Sequence, residues 1–363
     1  MDLSTRSPQA VEGFGKGSRR FVAATLAVVL SSAANAQPEA PEESTINVFE
    51  GPVIEERVIP AFPLSAARVG IEGWVEVNYM VDTEGKAYEI MVLDHAGNEA
   101  FIEAVQVALE RSTFRPARMG DEVVASSDTT IVRFALEGAD DYVGRDFAAK
   151  YNRFRSALRD GSRTDAGDAL SELEKVGLSY NNEYAQLNLA RYFYAERYGT
   201  TLEQMDHLKR ALGENPASPE QRSYLGREAT TARRGLVQLQ LRNRYFGEAL
   251  ETLELMRLKG DEEGVALFSE LSAQLGAVKA GDDPYGVAGQ IGDNGYWSIT
   301  LFKNTFHFDD LMGSVAELKL RCRPGFVFFN FEPETQYEVS AGARECTLQV
   351  IGTPGTTFTL VQQ

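Results

Sequence analysis

The chain has 363 residues, 43% hydrophobic and 25% charged, an ordinary globular mix, and it is long enough for two or three domains with cores of their own. Lys and Arg number 36 against 53 Asp and Glu, so the formal net charge is −17; this argues against general nucleic-acid binding, which needs a basic footprint. No apolar run reaches transmembrane length, and three histidines (His95, His207, His307) with two cysteines (Cys322, Cys346) leave little material for a metal site.

Arg19-Arg20, the apolar run Phe21 to Leu30 and the small-residue ending Ala34-Asn35-Ala36 have the order of a secretory signal, residues 1–36, with cleavage between Ala36 and Gln37. The apolar run is about half of the ~20 residues that a spanning helix needs, so a membrane anchor is expected only if the segment stays uncut. Cleavage would leave 32 basic and 51 acidic residues, a net charge of −19, in an exported, periplasmic chain. Export makes a disulfide plausible. Residues 37–56 hold Pro38, Pro41 and six glutamates and read as a flexible acidic linker.

Residues 57–138 predict a small ββαβ domain. Val75, Val77, Tyr79 and Val81 alternate along a strand over 73–81, and Asp82-Thr83-Glu84-Gly85 is turn chemistry. Tyr88, Ile90 and Val92 line a second strand over 87–94. Phe101, Ala104, Val105, Ala108 and Leu109 make one stripe of a helix. Ile131 to Leu136 is the third strand.

The residues Phe62-Pro63, Gly70, Gly73-Trp74-Val75, Val81-Asp82, Gly85, Phe101, Ala104, Ala108-Leu109, Phe114-Arg115-Pro116-Ala117 and Gly120 make this segment similar to the C-terminal domain of the TonB family. The resemblance implies a non-enzymatic protein-binding module that adds an extended peptide, such as a segment of an outer-membrane receptor, to the strand after its helix. That strand is here Ile131, Val132, Arg133, Phe134, Ala135 and Leu136. The family's Gln-Pro-x-Tyr-Pro stretch corresponds to Ile59-Pro60-Ala61-Phe62-Pro63, which keeps Pro60, Phe62 and Pro63 and replaces the glutamine by Ile59. The chain departs from the family in lacking a long Pro-rich rod and in continuing for some 225 residues after the domain.

Residues 142–278 carry seven helical stripes, from Phe147, Tyr151, Phe154 and Leu158 to Val265, Phe268, Leu271 and Leu275. Tyr245-Phe246-Gly247-Glu248-Ala249-Leu250 and Ala211-Leu212-Gly213-Glu214-Asn215-Pro216 resemble pieces of tetratricopeptide repeats, with another helical bundle as the alternative. Residues 283–363 predict an all-β, sandwich-like domain with strands over 296–302, 317–321, 326–331, 338–340, 347–351 and 357–361. Phe326-Val327-Phe328-Phe329 is expected to be buried, because exposed it is an aggregation hazard. Cys322 and Cys346, at strand edges of an exported chain, are expected to form one disulfide.

The fold class is thus multidomain α+β. No hydrolase, metalloprotease or phosphate-loop motif stands in the chain, and no cofactor is expected. The expected function is a periplasmic interaction protein of envelope transport with protein or peptide partners; a membrane-anchored energy transducer and an envelope enzyme with its site in the β domain remain the alternatives.

Overall fold

The alternation over 73–81 builds β3, the central strand of the first domain. The computed structural model describes residues 49–138, 142–215, 219–339 and 343–363. The expected signal, its Ala36–Gln37 junction and the first part of the linker lie outside the described residues. The end of the linker is not loose: β1 (Phe49–Glu50) and β2 (Val53–Glu56) are strands. They pair with β6 (Ala117–Met119) and β5 (Thr113–Arg115), and β7 (Glu122–Val124) extends the β1–β6 sheet. The main sheet has the order β4-β3-β8, all antiparallel, from β3 (Gly73–Val81), β4 (Ala87–Ala96) and β8 (Ser126–Phe134). A short helix, α1 (Leu64–Ala67), precedes β3, and α2 (Ala100–Arg111) follows β4. Gly85 makes the β3–β4 turn at φ 77°, and a Cβ there would lie 2.0 Å from the Phe114 carbonyl oxygen, so only glycine fits.

Val75, Val77, Tyr79 and Val81 pack with Phe101, Val105 and Leu109 of α2. The other face of β3 is also buried: Trp74, Asn78 and Met80 are all inaccessible. That second face and both edges of the sheet meet the rest of the chain. The described residues form one compact unit, so the three segments predicted from the sequence share interfaces rather than standing apart.

The helical segment runs α3 (Arg145–Asp160), α4 (Arg163–Glu174), α5 (Asn181–Tyr198), α6 (Thr201–Leu212), α7 (Ala229–Arg242), α8 (Phe246–Leu258), α9 (Glu262–Leu267) and α10 (Ser269–Ala280). Ser162 and Thr200 form capping boxes at the starts of α4 and α6, each satisfying orphan amides of the first turn. The odd-numbered helices begin at Arg145, Asn181, Ala229 and Glu262, spacings of 36, 48 and 33 residues, so the segment has no constant period. The last expected stripe is two helices, because Phe268 closes α9 and opens α10.

The C-terminal segment consists of two four-stranded antiparallel sheets. One, in the order β10-β15-β12-β13, comprises β10 (Tyr296–Thr300), β12 (Val315–Arg323), β13 (Phe326–Asn330) and β15 (Arg344–Gly352). The other, in the order β14-β11-β16-β9, comprises β9 (Tyr285–Gln290), β11 (Thr305–Met312), β14 (Tyr337–Glu338) and β16 (Thr357–Gln362). Leu318, Leu320, Leu348 and Val350 of the first sheet share one core with Val287, Phe306, Phe358 and Leu360 of the second. β9 and β11 stand where the alternation pattern predicts no strand. The expected burial of Phe326–Phe329 is overturned: β13 is an edge strand, with Val327 43% and Phe328 51% exposed.

Cys322 and Cys346 are disulfide-bonded with a sequence separation of 24. Closing such a loop is worth about 3 kcal/mol in the chain-entropy model. Replacing both cysteines by serine should lower the free energy of unfolding by about that amount in chemical denaturation.

Where α8 meets β10, Thr300 N–H donates to Glu248 Oε1 (2.8 Å) and Thr300 Oγ1 donates to Glu251 Oε1 (3.0 Å). Desolvation, then repulsion from Glu251, pushes the Glu248 carboxyl up to about 8, against the pull of the Thr300 N–H and Lys209. Its folded-state value lies above its unfolded one, so it favours folding at low pH. That contribution is lost as pH rises from the ordinary carboxylate range through about 8. Glu248→Gln should therefore raise the melting temperature at pH 9 and leave it nearly unchanged at pH 5; an equal change at both would contradict this assignment.

Candidate functional site

The third strand expected from the sequence, Ile131 to Leu136, is the second half of β8, which begins earlier, at Ser126, and ends at Phe134. Ala135 and Leu136 lie beyond the strand, so only Ile131, Val132, Arg133 and Phe134 of that set are in the sheet. Among the described residues β8 pairs with β3 on one side and has no strand on the other. It therefore has the edge position that strand addition requires.

That edge is not bare. Gly325 N–H donates to Ala125 O (3.1 Å), and Ser127 Oγ donates to Cys322 O (3.3 Å). Gln221 Nε2 donates to Ile131 O (2.8 Å). Arg133 sends its guanidinium to Gly213 O (2.7 Å) and Arg222 O and lies over the Tyr224 ring at 4.6 Å. Main-chain groups alternate in direction along a strand, so Ala125 and Ile131 engage their partners on the same, outward side. The β12–β13 turn covers one end of β8, and residues 213–215 and 219–224, between α6 and α7, cover the other.

The turn is anchored further by Arg323, whose guanidinium reaches Asp128 (3.3 Å), while Asp128 accepts from Tyr79 Oη (3.0 Å). Residues 219–224 are anchored by Lys259, the C-cap of α8, which donates to Gln221 O. Past the end of β8, Glu72 is 2% exposed and closes the seam with the helices. Its two oxygens accept from Leu136 N–H (2.7 Å) and Asn181 N–H (2.9 Å). Asn181 Nδ2 donates in turn to Phe134 O (3.1 Å). A buried carboxylate with a donor on each oxygen is satisfied only while both segments stay in place.

β4, the other edge, is also engaged. Tyr296 Oη donates to Val92 O (3.1 Å), and Arg321, 1% exposed, donates to Glu89 O (2.9 Å). Arg210 of α6 pairs with Asp94 at 2.9 Å. Nothing in the apolar periodicity marks Glu72, Asn181, Gln221, Lys259 or Arg321 as interface groups. Their only sequence signal is their polarity, which reads as surface.

The Pro60, Phe62 and Pro63 set lies beside α2. Phe62 meets Phe101 (5.6 Å) and Phe134 (5.8 Å) edge-on, so its ring ties this stretch into the core. Pro63 is the N-cap of α1. Pro60 lines a groove of about 340 Å³ between residues 58–63 and α2, beside Ile59, which is 80% exposed. The two sets expected from the sequence meet at Phe62 and Phe134, while β8 is otherwise covered by the chain and Ile59 faces solvent. Among the described residues no group of three or more His, Cys, Asp or Glu has metal-holding geometry, and no helix is long and apolar enough to cross a membrane.

Residues 59–136 match the family model described as the Gram-negative bacterial TonB protein C-terminal. The chain is 27% identical over 111 residues to Protein TonB of Vibrio cholerae, a match covering 29% of this chain and 46% of that protein. It is 31% identical over 78 residues to Protein TonB of Pseudomonas aeruginosa, covering 22% of this chain and 23% of that one. The chain therefore spans less than half the length of either relative it matches. Among solved structures, the solution NMR structure of the Pseudomonas aeruginosa TonB CTD is similar at 27% identity, with a TM-score of 0.22, over 24% of this chain and 89% of that one. The matched segment, residues 59–136, holds β3, β4, α2 and β8 and is similar to the TonB C-terminal family.

Proposed function

We propose that this chain is a non-enzymatic, TonB-type protein of the Gram-negative envelope, acting in transport through protein contacts. Its first domain takes an extended protein segment along the outward side of β8. The observation that carries the reading is the edge position of β8 inside a segment that matches the TonB C-terminal family. The helical pairs from α3 to α10 serve as a tetratricopeptide-like platform that holds this edge, and the export signal at residues 1–36 delivers the chain to the periplasm.

In this reading the described conformation is the closed one. An incoming strand needs the groups that Gln221 and Gly325 now occupy, so residues 219–224 and the β12–β13 turn must give way before a peptide pairs. A ligand then sees an affinity reduced by the fraction of molecules that are open. Outer-membrane receptor segments are the partners this predicts.

Titration of the isotopically labelled chain with extended receptor-derived peptides tests this. Lys259→Ala frees residues 219–224 and should tighten binding several-fold, with shifts on residues 127–133. Unmoved resonances on that stretch in both proteins would remove the strand-pairing mechanism.

A further inference from the structure

β13 is the second edge strand of consequence, and among the described residues it has no cover. It forms the free side of the β10-β15-β12-β13 sheet and pairs with β12 alone. Cys322 N–H donates to Gly325 O (2.8 Å) and Phe331 N–H donates to Ala316 O (3.2 Å). The Gly325 carbonyl and the Phe331 N–H therefore point toward β12. By alternation the main-chain groups of 327 and 329 do the same, and Phe326, Phe328 and Asn330 turn theirs outward. No hydrogen bond from another described segment reaches those outward groups. Along this edge stand Val327 on the core face and Phe328 on the opposite face, 43% and 51% exposed. An unpaired edge with apolar side chains on both faces is a template for another strand, and lysines, prolines or bulges usually blunt such edges. β13 has none of these within Phe326–Asn330.

We propose that β13 is a self-association surface, which pairs antiparallel with β13 of a second copy of this chain across a two-fold axis. The sequence of the edge is self-complementary in one register. Centring the axis on Phe328 sets Phe328 against Phe328 of the partner subunit, and Phe326 against Asn330 of the partner subunit. All three outward residues then exchange both main-chain bonds. In the same register Val327 lies against Phe329 of the partner subunit, so both exposed apolar side chains are covered. The ends also match in charge. Arg323 precedes the strand and Glu332 and Glu334 follow it, and antiparallel pairing sets each basic end beside an acidic one. The two four-stranded sheets become one continuous eight-stranded sheet.

Five residues a side bury less than a stable dimer needs. Each chain carries −17 formal charges, so the copies repel at long range. The dimer is accordingly weak, concentration-dependent and strengthened by salt, which screens that repulsion.

Sedimentation velocity of the full chain from micromolar to millimolar concentration tests this. The weight-average coefficient should rise with concentration, more steeply in high salt. Phe328→Lys sets two like charges at the axis and should abolish the rise, with an unchanged circular dichroism spectrum. Phe328→Cys should give a covalent dimer on mild oxidation, because Cα atoms of a hydrogen-bonded pair lie about 5.5 Å apart, within disulfide reach; Val69→Cys, exposed elsewhere, should not. Cys322 and Cys346 are already paired and buried, so the new thiol reports the register alone. A chain monomeric at every concentration, association unchanged by Phe328→Lys, or β13 resonances that move only on adding an extended apolar peptide would each overturn self-pairing.

Discussion

A three-stranded sheet with one helix has a second face and two edges left to satisfy, and this chain satisfies all of them from its own later segments. The need arises at β3. Its odd residues are apolar and meet α2, but its even residues, Trp74, Asn78 and Met80, are buried as well. Leaving that second face in water would expose Trp74 and Met80, each worth on the order of 2 kcal/mol of burial. The helices and the C-terminal sheets are therefore part of the first domain's packing.

The seams are held mainly by polar groups. Glu72 joins the end of β8 to the start of α5, Arg210 joins α6 to Asp94 of β4, and Arg321 joins β12 to Glu89. Directional contacts of this kind fix geometry more than they add stability, because a buried charge is costly unless every partner is present. A partial opening leaves several groups unsatisfied at once, so the seams are expected to open together. Glu248 and Glu251, where α8 meets β10, are the exception: two adjoining carboxylates oppose this packing as pH rises.

Much of the local structure was legible from periodicity. The β3–β4 hairpin, the stripe of α2 and the start of α8 at Phe246 follow the pattern of their residues. β9 was not legible because Gly286 and Gly289 interrupt it; the Phe358 ring packs so close to Gly289 that a Cβ there would lie 2.3 Å from it. β11 was hidden by a register shift between Asp309 and Met312, with Asp310 at φ 52°. Phe326–Phe329 was read as buried because hydrophobicity does not tell a central strand from an edge. The closure of β8 was invisible for another reason. It depends on Gln221, Lys259 and the main chain of the 322–325 turn, and side-chain polarity does not say which surface a polar group meets.

Hydrogen exchange of the intact chain, resolved for residues 126–134 and 219–224, tests the closure of β8 most directly. The account predicts that both stretches exchange slowly and with one common opening free energy, and that Lys259→Ala speeds them together. Rapid exchange along 127–133, independent of residues 219–224, would contradict it.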